Sequence, residues 1–390
     1  MKKHLNSGIY VKTGLAAMAL SLLFALPALA AKPIDVCYTS DFSGVNANVG
    51  ITQTKVVEMF IKSLNAAGGV KGRPINLIIQ DNGSDPSKAV GIAKMFKDQY
   101  KCKVVLVDVT SSVCLALKNF ADSNKLPMVA ASPQSEKLTV LNQKAWFFRT
   151  SANAALYAHT AMARLKKLGH TKIAFDGTAL AWGTDTLATV KEVSGQYGIQ
   201  LVYINLTEPK TKDLSIQVKK MMDSGASAIL CAEYEAEASV LARAISGLGW
   251  KPYVINTSAS NVASALAITD HTLLEGWEAV TIADDSKPSV RKVWTQANAY
   301  TGGNPPIDQD EKAIRAYDQV AVLVEALKVA KNLDDSTSIR DALYNINPNW
   351  EWVSGKLGSK GGFTTAKNHL LNVQDMVILN VRNGKMVSVK

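Results

Sequence analysis

The residues best suited to chemistry in this chain are hydroxyls on two neighbouring loops. Thr110, Ser111 and Ser112 follow the apolar run that begins at Val104, and Ala131, Ser132, Pro133 and Gln134 follow the next one. Small hydroxyl residues let a ligand approach closely, and Ser111 and Ser112 open a helix whose first N–H groups lack intrahelical partners. That combination suits a carboxylate or another compact polar head. A single loop of this kind is better read as a helix cap; two side by side point to a site. Phe42, Trp182 and Tyr234 add large apolar surfaces at the carboxyl ends of other predicted strands. A surface that is polar at one end and aromatic at the other recognises a small amphipathic molecule. Packing on the surface is the alternative reading of Trp182 and Tyr234.

Support for catalysis is thin. The five histidines are His4, His159, His170, His271 and His369, none near the hydroxyl loops in sequence. No G-x-S-x-G, P-loop or G-x-G-x-x-G follows a predicted strand. Glu233, Glu235 and Glu237 alternate where a strand passes into a helix, a cleft-edge pattern more than an acid–base pair. The expectation is a binding protein with no catalytic residue, cofactor or metal.

Positioning two such loops requires a parallel βαβ crossover, because both then emerge at the carboxyl edge of one sheet, where open α/β sheets bind ligands. Strand and helix alternate four times over residues 34–134. Strands are expected at 34–39 and 75–80. Asp85 caps a helix with Pro86 in its first turn, running to about residue 100. The rhythm restarts after a short extended piece at 146–150. Helices are expected at 154–168, 184–197 and 214–224, with another marked by Leu241, Ala244, Ile245 and Leu248. Strands are expected at 172–176, 200–206, 228–231 and 253–256, and residues 177–183 read as a loop carrying Trp182. A helical block at 289–300, 310–330 and 337–346 then reads as the chain returning to cover its first half. Asn383-Gly384 between two apolar runs signals a closing hairpin.

Residues 1–30 read as a secretory signal peptide. Lys2, Lys3 and Lys12 precede an apolar run at 15–26, and Ala28-Leu29-Ala30 resembles a cleavage site. Removing them lowers the formal charge from +10 to +7, with 40 basic against 33 acidic residues. The basic residues are scattered, without the aromatic-laced stripe that nucleic-acid binding requires. No later run approaches a membrane span, and the remaining length exceeds one ordinary core, so two domains are expected. The cysteines, Cys37, Cys102, Cys114 and Cys231, lack metal or redox spacing. Cys37 and Cys102 both precede or open strands expected to be neighbours and are the pair to test for a bridge, with unpaired packing equally open.

Several stretches together resemble the extracytoplasmic binding proteins of branched-chain amino acid ABC importers, the leucine/isoleucine/valine-binding class. They are Asp41-Phe42-Ser43-Gly44 with Gly50, Asn65-Ala66-Ala67-Gly68-Gly69-Val70-Lys71-Gly72-Arg73, Asp81 with Asp85-Pro86, the hydroxyl loops, Phe148-Arg149-Thr150 and Ala316-Tyr317-Asp318. The resemblance covers essentially the whole chain after residue 30. It implies an α/β fold of two doubly wound parallel-sheet lobes joined by a three-crossover hinge, type I periplasmic binding protein-like. The crossovers would lie near residues 151–153, 282–284 and 375–377. One lobe would comprise residues 31–152 plus 283–375, the other 153–282 plus 376–390.

The resemblance also implies ligand contacts from Ser111, Ser132 and Gln134 in the first lobe and from Trp182 and Tyr234 in the second, with Phe42, Ser112, Thr257 and Ser258 completing the candidate set. Two departures bear on the ligand. Amino-acid binders place an acid after the strand ending near Asn256, where this chain has Thr257-Ser258-Ala259-Ser260, and Val49 stands where a tyrosine is often found. A buried ammonium without a counter-charge is costly. An aromatic or branched aliphatic acid or amide without an amine therefore fits better than a standard amino acid, unless Glu233 or another acid substitutes. The expected protein is a periplasmic, monomeric receptor delivering a small solute to the permease and ATPase of an ABC importer, with no nucleic-acid partner. The alternative is a ligand-sensing partner of a membrane receptor or sensor kinase.

Overall fold

The computed structural model describes residues 31–107, 110–138, 143–303, 307, 311–347, 349–365 and 371–389. The expected leader at 1–30 lies outside the described residues.

From its start the chain forms β1 (Ile34–Ser40), α1 (Ala47–Ala66), β2 (Ile75–Asp81), α2 (Pro86–Asp98), β3 (Val105–Val107), α3 (Ser111–Asn124), β4 (Met128–Ala130) and β5 (Phe147–Arg149). The five strands make one parallel sheet in the order β2-β1-β3-β4-β5. β3, β4 and β5 are buried at every position, as expected of strands covered by helices on both faces. Asp85 caps α2 as expected, accepting from Ser87 N–H at 2.7 Å and Lys88 N–H at 3.0 Å, with Pro86 in the first turn.

The chain then crosses to a second sheet. There follow α4 (Ala154–Lys167), β6 (Lys172–Thr178), α5 (Ala181–Val193), β7 (Gln200–Thr207), α6 (Ser215–Asp223), β8 (Ala228–Ala232), α7 (Glu235–Gly247), β9 (Tyr253–Asn256), α8 (Ala259–Ile268) and β10 (Glu278–Thr281). It returns through α9 (Pro288–Thr301), α10 (Lys312–Val329) and α11 (Ser336–Leu343), and crosses a third time to β11 (Val377–Arg382) and β12 (Lys385–Ser388). α10 packs along α1, where the Phe60 and Tyr317 rings meet edge to face at 4.9 Å, so the helical block does cover the first lobe.

The second sheet runs β12-β11-β10-β9-β8-β6-β7. It is mixed, because the terminal hairpin adds two antiparallel strands to an otherwise parallel core. Asn383 and Gly384, at φ of 51° and 71°, form the two-residue turn.

Three details differ from the sequence-based expectation. β6 continues through Gly177 and Thr178, and α5 begins at Ala181, so Trp182 sits in a helix's first turn and not in a loop. Gly183 allows this close approach, since a β-carbon there would lie 2.0 Å from the Thr178 carbonyl oxygen. α8 and β10 have no counterpart in that expectation. α8 buries its polar Ser260, Asn261 and Ser264 along with its apolar residues, its Ser258 cap makes no side-chain capping bond, and β10 has four residues.

Cys37 and Cys102 are joined by a disulfide, 65 residues apart in sequence, and Cys114 and Cys231 are buried thiols outside that bridge. Closing a loop of that length stabilises the fold by restricting the unfolded chain, so replacing both Cys37 and Cys102 by Ala should lower unfolding free energy by about 2–4 kcal/mol in urea titrations. A midpoint insensitive to both the replacement and reductant would contradict this.

At the carboxyl edge of the second sheet, Asp176 and Glu233 are both fully buried. Asp176 accepts from Asn205 Nδ2 at 2.7 Å and Thr207 Oγ1 at 3.2 Å, yet burial still pushes its pKa up to about 6. Burial, and then the nearby Asp176 charge, hold Glu233 well above the usual carboxylate range. Both folded-state pKa values are raised, so the native state binds protons that the unfolded chain has released. Their contribution to stability is therefore fully present below about pH 4 and is lost as pH rises through about 6 and beyond. Asp176→Asn should flatten part of that decline in thermal melts taken from about pH 4 to about pH 8. An unchanged pH profile would count against the buried-acid account.

Candidate functional site

β3 and β4 are adjacent and parallel, so the segments that follow them emerge together. Ser111 begins α3, and its Oγ accepts the backbone N–H of Gln134 at 3.3 Å and of Ser135 at 3.2 Å. Both lone pairs are thus occupied, while no acceptor for the hydroxyl's own proton lies within reach among the described residues. Ser132 is similarly placed: its Oγ accepts Gln53 Nε2 at 2.6 Å. Thr110, the residue before α3, makes no side-chain capping bond. The first lobe therefore offers the cleft two hydroxyl donors and a helix N-terminus, all suited to an anionic acceptor.

Across the cleft, Trp182 in the first turn of α5 and Tyr234 immediately before α7 place their rings 5.1 Å apart at 53°. Both are buried. Trp182 Nε1 donates to Gln134 Oε1 at 2.9 Å, so this wall is aimed by a bond from the opposite lobe.

Arg315 on α10 closes the base. Its Nη1 donates to the Ser132 carbonyl at 3.3 Å, and its Nη2 to Tyr157 Oη at 2.7 Å and to Glu311. Glu311 is fully buried and also accepts from Ile282 N–H at 3.1 Å and Tyr157 Oη at 3.2 Å. Longer contacts of 3.5 Å run to it from the hydroxyls of Ser258 and Ser260.

These groups line a pocket between the lobes, partly open to solvent. Of the residues expected at the site, Ser111, Ser132, Gln134, Trp182, Tyr234 and Ser258 line it together. Phe42, Ser112 and Thr257 stand outside that lining. Phe42 lies in a turn held away from the cavity, its N–H donating to Asp81 Oδ1 at 2.8 Å, and Ser112 is half-buried on α3. Thr257 is fully buried behind the wall and presents its carbonyl to Gln134 Nε2 at 3.5 Å.

Asn46, Asn261 and Arg315 also line the cavity; Asn46 and Asn261 carry no signal that singles them out in sequence, while Val49 and Ser260 stand out there only as departures from the family pattern. Asn46 and Val49 enter because the loop after β1 becomes helical at Ala47. The one sequence signal for Arg315 is its spacing of four residues from Glu311 in a mostly apolar helix. Among the described residues no acidic side chain lines the cavity, and none form a group of three His, Cys, Asp or Glu side chains arranged for a metal ion.

A family profile described as periplasmic binding protein matches residues 33–385. A curated relative, Leu/Ile/Val-binding protein homolog 3 of Brucella melitensis, is 23% identical over 336 residues, covering 86% of this chain and 89% of that one. Among solved structures, a type 1 periplasmic binding protein from Bordetella pertussis superimposes with a TM-score of 0.83 at 18% identity, over 92% of this chain and all of that one. A branched-chain amino acid ABC transporter protein from Thermus thermophilus with bound valine gives 0.81 at 17% identity, over 92% and 96%. With two doubly wound lobes, three crossings and a shared cleft already evident, the chain belongs to the periplasmic binding protein family.

Proposed function

We propose that this protein is the extracytoplasmic solute receptor of an ABC importer and that its ligand is a small, partly hydrophobic carboxylate without an amine. The observation that carries the reading is the state of Ser111, whose oxygen already accepts two N–H bonds and whose remaining capacity is to donate. Ser132 Oγ accepts one bond, from Gln53 Nε2, and its hydroxyl can donate as well. A carboxylate satisfies both. The Trp182 and Tyr234 rings would take the apolar body of the ligand. Among the described residues the cavity lining carries no acid to receive an ammonium group, and the carboxylate at its base, Glu311, is already engaged by Arg315.

On this reading residues 1–30 direct export, residues 31–152 plus 283–375 and 153–282 plus 376–390 form the lobes, and a monomer delivers its ligand to a permease with its ATPase. Closure is a hinge motion about the crossings, the movement by which periplasmic binding proteins as a class shut around their ligands.

Thermal-shift screening of ligand-freed protein tests the reading, since a ligand at about 100 times its Kd adds about 2.7 kcal/mol to stability. Aromatic and branched aliphatic acids should raise the melting temperature, and their α-amino counterparts should do so much less. The reverse ranking would overturn the ligand class. Ser111→Ala should weaken binding of the best acid by about 1–3 kcal/mol, and Trp182→Ala should weaken it as well, both with native circular dichroism. Unchanged affinity in both variants would remove the site assignment.

A further inference from the structure

Gln134 is buried, lines the cavity, and has its side chain committed to the opposite lobe. Its Oε1 accepts from Trp182 Nε1 at 2.9 Å, and its Nε2 reaches the Thr257 carbonyl at 3.5 Å. Its backbone N–H is taken by Ser111 Oγ. An amide whose two ends are engaged by protein cannot give those same bonds to a ligand. The residue after it, Ser135, donates to Asp185 on α5, and Lys137 pairs with the same carboxylate at 3.1 Å. The stretch 134–137 is thus fastened to the start of α5 along one edge of the cleft.

We infer that Gln134 is a specificity-determining wall that fixes how long a ligand the closed cleft accepts. It sets this limit by spanning from the hydroxyl loops to Trp182 and Thr257, and the inference rests on the carboxylate reading above. The length of glutamine is what matters: asparagine, one methylene shorter, cannot hold the same reach, and alanine leaves the space beyond the hydroxyls open toward Thr257. Removing the amide also frees Trp182 Nε1, so the ring loses the bond that aims it.

The test is calorimetric titration of wild type, Gln134→Ala and Gln134→Asn with straight-chain carboxylates from propionate to octanoate and with phenylacetate, phenylpropionate and phenylbutyrate. Each methylene newly accommodated should raise affinity about fourfold. Gln134→Ala should therefore move the preferred length up by about two methylenes and change the long-to-short affinity ratio about fifteenfold, with Gln134→Asn between. Parallel losses at every length, with the preferred length unmoved, would overturn the inference. If wild type binds none of these acids, the carboxylate reading falls separately, and small-angle scattering then judges the wall. Gln134→Ala should expand the ligand-free protein, and superimposable profiles would overturn the tie between the lobes.

Discussion

The paired N–H bonds from Gln134 and Ser135 to Ser111 Oγ are the constraint on which the cleft depends. They lock the segment after β4 onto the start of α3, so two strand ends that would otherwise present independent loops present one surface. They also set the chemistry of that surface. A serine oxygen with both lone pairs engaged is left as a donor, and the Ser132 hydroxyl beside it is engaged by Gln53 in the same sense. The polarity of the site follows from backbone geometry more than from any charged side chain, and backbone geometry is set by β3 and β4 being adjacent and parallel.

The buried Glu311–Arg315 pair has a different task. Desolvating two charges costs several kcal/mol each, offset only where geometry and further hydrogen bonds are good. Here the bonds come from both halves of the molecule: Tyr157 from α4, Ile282 at a crossing, and the Ser132 carbonyl from the first lobe. The pair therefore orients the two lobes at the point where the chain passes between them. It also occupies the carboxylate at the base of the cavity. An acid held by its own arginine is not free to pair with a cationic guest.

Much of this was legible in the sequence, because it follows from local rules. Asp85 with Pro86 is a cap that needs no tertiary context, and Asn383-Gly384 is a turn that only residues tolerant of positive φ readily make. The apolar runs at β3 and β4 announce buried parallel strands, and hydroxyls at their ends announce the site. What escapes depends on contacts between distant segments. Arg315 reads as one charge on a helix until the fold buries it beside Tyr157 and Ser132. α8 lacks the two-faced pattern that marks a helix, since it is covered on nearly all sides. Phe42 belongs at the rim by its position in the chain, but the turn around it is pulled to Asp81 and Asp41, and a residue half a turn into α1, Val49, lines the cavity instead. Val49 adds an apolar side chain to a lining that also holds Trp182 and Tyr234.

The bonds that cross the cleft bear on how the protein moves. Trp182 to Gln134 is buried, and a neutral hydrogen bond of that kind contributes about 0.5–1.5 kcal/mol net because opening exchanges it for bonds to water. The Lys137–Asp185 pair has its lysine largely exposed and adds less than about 1 kcal/mol. Such ties favour closure by only a few kcal/mol, against the freedom gained when two lobes separate. On the proposed hinge motion, ties this weak leave the closed and open arrangements close in free energy, and a ligand that touches both lobes tips the balance by its differential affinity for the closed one. Contacts from the first lobe alone would hold a ligand equally well in either state and shift nothing. On the proposed assignment the selective contribution comes from Trp182 and Tyr234, which would meet a guest seated on Ser111 and Ser132 when the cleft is shut.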